Sequence, residues 1–364
     1  MRLAGPGDPA ASGGAGPLTT RAVAFATSPV ASTGTPDDRG DVVGASLDLA
    51  VDLAAQEPWV GEGATADLWE CLATLGATDL SAARAVEPHL DARTILHQAG
   101  LGELAPAGST WGVFAAEGPG VRLSASPAAA AGAATAEDWL LSGVKPWCSL
   151  AGRLSHALVT AWTSPEDRRL FAVDLRHPGV RADGAWSALG LTDVPSGPVS
   201  FDAVPAVPVG EAGWYLRRPG FAWGGASVAA CWHGGVVGLA RTLLVAAREP
   251  RRADDALLQR HVGAVDAWLD RSRQALAATA AAVDAGLLDE REGPVVVART
   301  RTTVADAAER VLEHVAHALG PAPLAQDAAH ARRVADLGLY VRQHHPDRDV
   351  ASLGRKVLAL PGGW

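Results

Sequence analysis

The sequence predicts an α+β protein with an N-terminal helical domain, a central β-barrel or β-sandwich domain and a C-terminal four-helix bundle. Three observations predict it. Residues from about 40 to 104 repeat apolar side chains at helical spacing. Residues from about 109 to 215 break into short apolar runs bounded by Gly, Pro, Asp or Ser. After residue 216 the helical period returns in four long segments with short connections. The predicted divisions are a disordered N-terminus at 1–18, then 19–108, 109–215 and 216–364.

Each element follows from its local pattern. Residues 1–18 are mostly Gly, Ala and Pro, with little to bury, which predicts disorder. In "TADLWECLATLG", Leu68, Trp69, Leu72 and Leu75 share one helix face. Gly76 predicts the end of that helix, because glycine tolerates positive φ. "DARTILHQAGLGEL" repeats the pattern and ends near Gly100 or Gly102. "VRLSAS", "EDWLLSG", "LSHALVTAW", "RLFAVDL" and "GPVSFDAVPAVPVG" each read as a strand. In the bundle, Leu257, Leu258, His261, Val265, Trp268 and Leu269 form one stripe. "AHARRVADLGLYVRQHH" is the fourth helix, which Pro346 should end.

Composition narrows the function. The chain has 364 residues, 48% hydrophobic and 20% charged, which is ordinary globular protein. Its net charge of −9 gives no general attraction for nucleic acid or anionic membrane. The longest apolar stretch, 221–247, carries His233, Arg241 and many glycines, and reads as a buried bundle helix rather than a membrane span. The N-terminus lacks the apolar core of a secretory signal, so a cytoplasmic protein is expected. Cys71, Cys148 and Cys231 are too far apart for a C-x-x-C site or a disulfide framework. His314 and His317 sit beside Glu313, but no Glu-x-x-His occurs, so no metal is expected. Phosphate-loop, dinucleotide-fold and nucleophile-elbow motifs are all missing from the sequence.

Two stretches remain that carry chemistry. "WLLSGVKPWCSLAG" (139–152) places Trp147, Cys148 and Ser149 together at a strand end. That is either a packed hairpin corner or a platform for a planar ligand, with Trp147 stacking and Ser149 hydrogen-bonding. By strand alternation Cys148 points the other way. "LGLYVRQHHPDRDVASLGR" gathers Arg342, His344, His345, Asp347, Arg348 and Asp349 at a helix end. Such a cluster is either an exposed salt-bridged cap or a site for acid/base work.

With these pieces in order, the chain resembles the acyl-CoA dehydrogenase family. "EDWLLSGVKPWCSLAG" resembles the family's strand that ends in Trp, then Ser or Thr two residues on. "GPVSFDAVPAVPVGEAGWYL" resembles its V-x-F-D-x-V-x-V-P strand, and "RRPGFAWGGASVAACWHGGVVGLARTLL" its first bundle helix. The resemblance implies FAD bound between the β domain and the bundle, with Trp147 against the flavin ring and Ser149 as a donor beside it. Cys148 falls in the same segment. "FAAEGPG", with Phe114, Ala116 and Glu117, resembles the family's flavin and substrate loop, although Ala116 stands where Thr is usual. Arg248 corresponds to the Arg that reaches a neighbouring subunit's cofactor, but its following Phe-Gly is gone, and the Gly-rich loop reads "LGPAPL" at 319–324.

The resemblance also implies a small-molecule substrate, an acyl-CoA or related thioester, and a homo- or hetero-oligomer, dimer or tetramer. The family's catalytic Glu is replaced, because gapless alignment puts His344 at its position and His345 next. His344 or His345 is the expected base for α,β-dehydrogenation, with Asp347 or Asp349 as the choice after a gap. A flavin monooxygenase of the same fold and a non-catalytic partner subunit are the alternatives. Arg217, Arg218 and Arg122 could meet CoA phosphates, and Trp223, Gly224, Gly225 and Trp232 either open or block the substrate channel.

Overall fold

The computed structural model describes residues 14–28, 30, 40–128, 139–252 and 254–362. The N-terminal helices are α1 (Pro17–Ala26), α2 (Val42–Ala54), α3 (Thr65–Thr78) and α4 (Leu80–Gln98). Asp41 and Asp79 start α2 and α4 by accepting N–H groups of the first turn. Asp67 of α3 does the same for α1, accepting from the Leu18 and Thr19 N–H groups at 2.9 and 3.0 Å. Residues 17 and 18 are therefore helix, where composition predicted disorder. The buried Leu18 and the carboxylate of Asp67 fix them. Residues 14–16 are irregular chain ahead of α1, and 1–13 lie outside the described residues.

Leu68, Trp69, Leu72 and Leu75 are all buried, as their spacing predicts. Gly76 does not end α3, which runs on to Thr78. Its lack of a side chain serves packing instead. A Cβ there would sit 2.5 Å from the Cys231 carbonyl, and one at Gly234 would press into the Ala73 carbonyl. Helix α3 and the first bundle helix thus approach backbone to backbone. Trp69 Nε1 fixes their register by donating to Ser227 Oγ at 2.9 Å.

The central strands are β1 (Trp111–Phe114), β2 (Leu123–Pro127), β3 (Trp139–Lys145), β4 (His156–Trp162), β5 (Arg168–Asp174), β6 (Val180–Arg181) and β7 (Val199–Val209). Strands β4, β2, β3, β7 and β5 pair in that order, and β5 pairs again with β4. The ring is closed, so the unit is a barrel rather than a sandwich. Strand β1 runs parallel to β4, and β6 adds to β7. The β3–β7 register shifts between Leu141 and Gly143. Gly143 has φ +121°, and a Cβ there would strike the Arg122 carbonyl, so the shift requires glycine.

The C-terminal helices are α5 (Trp214–Arg217), α6 (Pro219–Ala247), α7 (Ala256–Asp284), α8 (Glu292–Leu319), α9 (Ala322–Gln326), α10 (Ala328–Tyr340) and α11 (Pro346–Leu358). Helices α6, α7, α8 and α10 are the four predicted ones. Helix α6 is long and apolar enough to cross a membrane, but most of it is buried against α3, α7 and α8. On α7, Leu258 and Val265 are buried, whereas Leu257 is 72% exposed and lies off the stripe. Helix α11 is an unpredicted element, as are the short α5 and α9. Pro346 does interrupt the chain, yet as a first-turn residue it also opens a new helix. Asp347 and Asp349 in its first turn and Arg355 and Lys356 in its last complement the helix dipole.

Candidate functional site

The segment after β3 departs from strand geometry. The chain bends at Pro146 and turns over residues 149–153, with Trp147 at φ +60° and Leu150 at φ +59°. These are left-handed conformations that non-glycine residues rarely adopt. Pairing with 195–197 holds them: Cys148 N–H donates to the Gly197 carbonyl at 3.1 Å, and Leu150 N–H to that of Pro195 at 2.8 Å. The turn drives the three side chains apart. Trp147 is 58% exposed, edge-on to Trp186 with ring centroids 6.4 Å apart. Cys148 is buried, with Sγ 3.3 Å from the Lys145 carbonyl, and burial pushes its thiol up to about 12. Cys148 thus turns away from Trp147, though by turn geometry rather than strand alternation. Ser149 faces the helices, where its Oγ accepts from Arg84 Nη2 at 3.0 Å and lies 2.7 Å from Ser196 Oγ.

The other expected cofactor residues do not gather there. Phe114 is buried in β1, beside Ser149 and Arg84 around a void of only about 10 Å³. Ala116 is exposed. Glu117 accepts from Lys145 Nζ at 2.6 Å and lies 3.3 Å from Arg168 Nη1, so it ties the loop to the barrel. Arg248 caps the far end of α6 and is exposed. Twenty-odd residues of helix, roughly 35 Å, separate it from Gly224 and Gly225. Arg122 lies over the Trp162 ring and donates to the Ser164 carbonyl, both on the barrel.

A half-open cavity of about 700 Å³ lies between α4 of the N-terminal part and α5, α6, α8 and α11 of the C-terminal part. Trp223, Gly224 and Gly225 line it, so the channel is open there. Trp232 lies outside it, buried beneath Arg301 with the guanidinium 4.8 Å from its ring. Arg217 and Lys356 line the cavity together with Asp289 and Glu290. Glycine at 224 and 225 lets charged groups close in: a Cβ at Gly224 would sit 2.8 Å from Asp91 Oδ1, and Arg301 Nη1 donates to the Gly225 carbonyl.

Of the expected bases, His344 reaches this cavity as a buried group. It is 4% exposed, and neither ring nitrogen has a hydrogen-bond partner among the described residues. Its Nδ1 is 3.2 Å from Asp349 Oδ2, an ion-pair distance without hydrogen-bond geometry. Burial lowers the imidazole's pKa against the pull of Asp349, so the ring is held neutral. His345 is an exposed lining residue whose N–H donates to Asp349 Oδ2 at 3.1 Å. Asp347 and Arg348 are exposed, and Arg342 pairs with Glu309.

Glu87, Asp91 and Arg301, which sequence reasoning missed, complete the wall. Glu87 and Asp91 lie one turn apart on α4. Glu87 is 5% exposed, and its nearest ion-pair partner is Arg84 Nη1 at 3.7 Å. Burial pushes its carboxyl up to about 8, against the pull of Arg84 and Arg301. Asp91 is 3.7 Å from Arg218 Nη2, and burial raises its pKa too. Arg84 thus bridges the cavity wall at Glu87 and the turn at Ser149. The available signal was R-x-x-E-P-x-x-D inside a helix, with Pro88 breaking the backbone ladder at the Arg84 carbonyl.

Comparison with known proteins fits this geometry. Residues 117–204 match the family model described as acyl-CoA dehydrogenase, middle domain. No curated protein matches the chain. Among solved structures, dibenzothiophene monooxygenase TdsC from Paenibacillus sp. A11-2, bound to FMN, is 16% identical over 95% of this chain and 98% of its own, with a TM-score of 0.77. KijD3 with FMN and a dTDP-linked amino-keto sugar is 19% identical over 99% and 97%, with a TM-score of 0.76. Butyryl-CoA dehydrogenase from Megasphaera elsdenii is 14% identical over 94% and 97%, with a TM-score of 0.77. The chain therefore has the acyl-CoA dehydrogenase-like fold, with that family's middle domain at its centre.

Proposed function

We propose that the chain is a flavin-dependent oxidoreductase acting on a small polar molecule in the α4–α6–α8–α11 cavity. The observation that carries this reading is the charged cavity wall, where Glu87, Asp91, Arg218, Arg301 and His344 converge. An aliphatic acyl chain placed against these groups would leave them desolvated without partners, whereas a polar substrate would hydrogen-bond to them. The flavin fits at the adjoining turn. Trp147 offers an open aromatic face, Ser149 a hydroxyl, and Arg84 a cation beside that hydroxyl. When bound there, a flavin supplies two-electron redox chemistry. The chain's own residues orient the substrate, through Arg218 and Arg301, and keep a neutral imidazole against it, through His344. TdsC and KijD3, each solved with FMN, support this combination of fold and cofactor. FAD remains the family's implication, but the missing Phe-Gly after Arg248 and the altered 319–324 loop favour FMN.

Acyl-thioester dehydrogenation is the second reading. The middle-domain match and the cationic Arg217 and Lys356 on the cavity lining favour it, and His344 is then the base. Both readings are tested on the purified chain. A yellow protein is expected, with FMN identified by mass spectrometry of the released cofactor. Anaerobic bleaching by butyryl-CoA would select the thioester reading. A colourless chain that binds neither FMN nor FAD would overturn both and leave a partner-subunit role.

A further inference from the structure

We propose that Glu87 on α4 is a catalytic acid–base residue of the cavity, taking and returning a substrate proton. The inference rests on reading the cavity as the substrate site. The expected base lies at the other end of the chain, so this role belongs to a different helix and a different wall. Three structural observations carry it.

The first is position. Glu87 is nearly fully buried by protein, yet its side chain forms part of the cavity lining. A substrate in the cavity therefore meets it, on a carboxyl that the protein shields from most solvent. The second is a lack of commitment. Glu87 makes no hydrogen bond among the described residues, and Arg84 Nη1 at 3.7 Å is its only ion-pair contact there. By contrast, Glu117, the carboxylate on the barrel, is saturated by Lys145, Arg168 and Trp162. The third is its surroundings. Arg84 and Asp91 face it from α4, Arg301 from α8, Cys231 from α6, Tyr340 from α10 and Tyr215 from α5. Burial raises the thiol and both phenols, so they stay neutral, and only the two arginines and Asp91 set the field.

The step is a proton transfer. The Glu87 carboxylate takes a proton from an acidic N–H, O–H or C–H of the bound molecule, which keeps the bonding electron pair. Glu87 becomes a neutral acid, and the negative charge moves onto the substrate within the field of Arg84 and Arg301. The reverse step returns the proton. A carboxyl raised to about 8 populates both forms near neutral pH, which suits it to either direction. Arg84 is a positioning residue, because it holds Glu87 beside the Ser149 turn.

Labelling with dicyclohexylcarbodiimide, mapped by mass spectrometry, tests the inference on the full chain. The reagent attacks protonated carboxyl groups that it can reach from an apolar or enclosed site. Label on Glu87 is expected at about pH 6 and should fade as the pH rises through about 8. A saturating small probe, indole, should protect it. Glu87→Gln should lose the label and bind FMN as the wild type does. Turnover is assayed with reduced FMN, dioxygen and indole, and separately with butyryl-CoA and an artificial electron acceptor. On whichever pair reacts, Glu87→Gln should lower kcat about 100-fold or more with little change in KM, and Glu87→Asp should restore part of it. Should neither pair react, labelling and protection decide the matter. No label at any pH, label that indole does not block, or unchanged kcat in Glu87→Gln would overturn the assignment. Failure of the wild type to bind flavin would sink the proposed function instead, and the labelling result would still stand.

Discussion

Replacing Glu87 with Gln should stabilise the protein, by an amount that grows with pH. The carboxyl titrates at 4.5 in an ordinary setting and at about 8 in the fold, with burial as the largest cause. A raised folded pKa means that the bound proton favours the folded state. That contribution is whole below about pH 4.5 and is lost as the pH climbs to about 8. Each unit corresponds to ~1.4 kcal/mol, so the wild type gives up ~3 kcal/mol by neutral pH and at most ~5 kcal/mol by pH 8. Glutamine has nearly the same shape and does not titrate. The variant's advantage should therefore be near zero at about pH 4.5, rise steadily, and level off above about pH 8. Urea unfolding at three pH values across this range reads it directly. An advantage that is constant with pH, or a wild type that is the more stable form at about pH 9, would refute the reasoning. A stabilising change at a cavity carboxylate is also what a functional residue predicts, since such a group is retained at a cost to the fold.

Trp147→Ala should leave thermal stability within about 0.5 kcal/mol, because the indole is largely exposed, yet weaken FMN binding at least tenfold by fluorescence titration. Burial holds His89 down to about 3 and His233 to about 4, and His89 accepts the Trp111 N–H at 3.1 Å. Their contribution is whole above about pH 6.5 and falls as the pH drops, by ~1.4 kcal/mol per unit for each ring. Urea unfolding in the Glu87→Gln background should show that slope, and a flat profile would count against it. Gly234→Ala should cost about 3 kcal/mol in thermal melts, since its methyl meets the Ala73 backbone, whereas the same change at the open position Gly263 should be neutral or better.

The sequence by itself determined the layer order. Apolar spacing put Leu68, Trp69, Leu72 and Leu75 in a helix core, and Gly- or Pro-bounded runs marked the strands, because both signals are local. It also singled out Trp147, Ser149 and His344, through short motifs in a recognisable order. Closure of the barrel was decided by the pairing of β4 with β5 and β2, which no strand shows alone. Gly76 looked like a helix stop, but its meaning came from the Cys231 carbonyl on a helix more than 150 residues away. Pro346 is read by the chain as both a stop and a start, and only the dipole-matched charges of 346–358 show which follows.

The site divides in the same way. Glu87 and Asp91 sit in a helix whose charges read as surface, and the Pro88 between them marks the backbone locally without showing what the carboxylates face. They become a site because α6 contributes glycines at 224 and 225, and α8 contributes Arg301. That convergence buries carboxylates beside a cavity and changes their proton affinity, a long-range effect of desolvation that residue order cannot express.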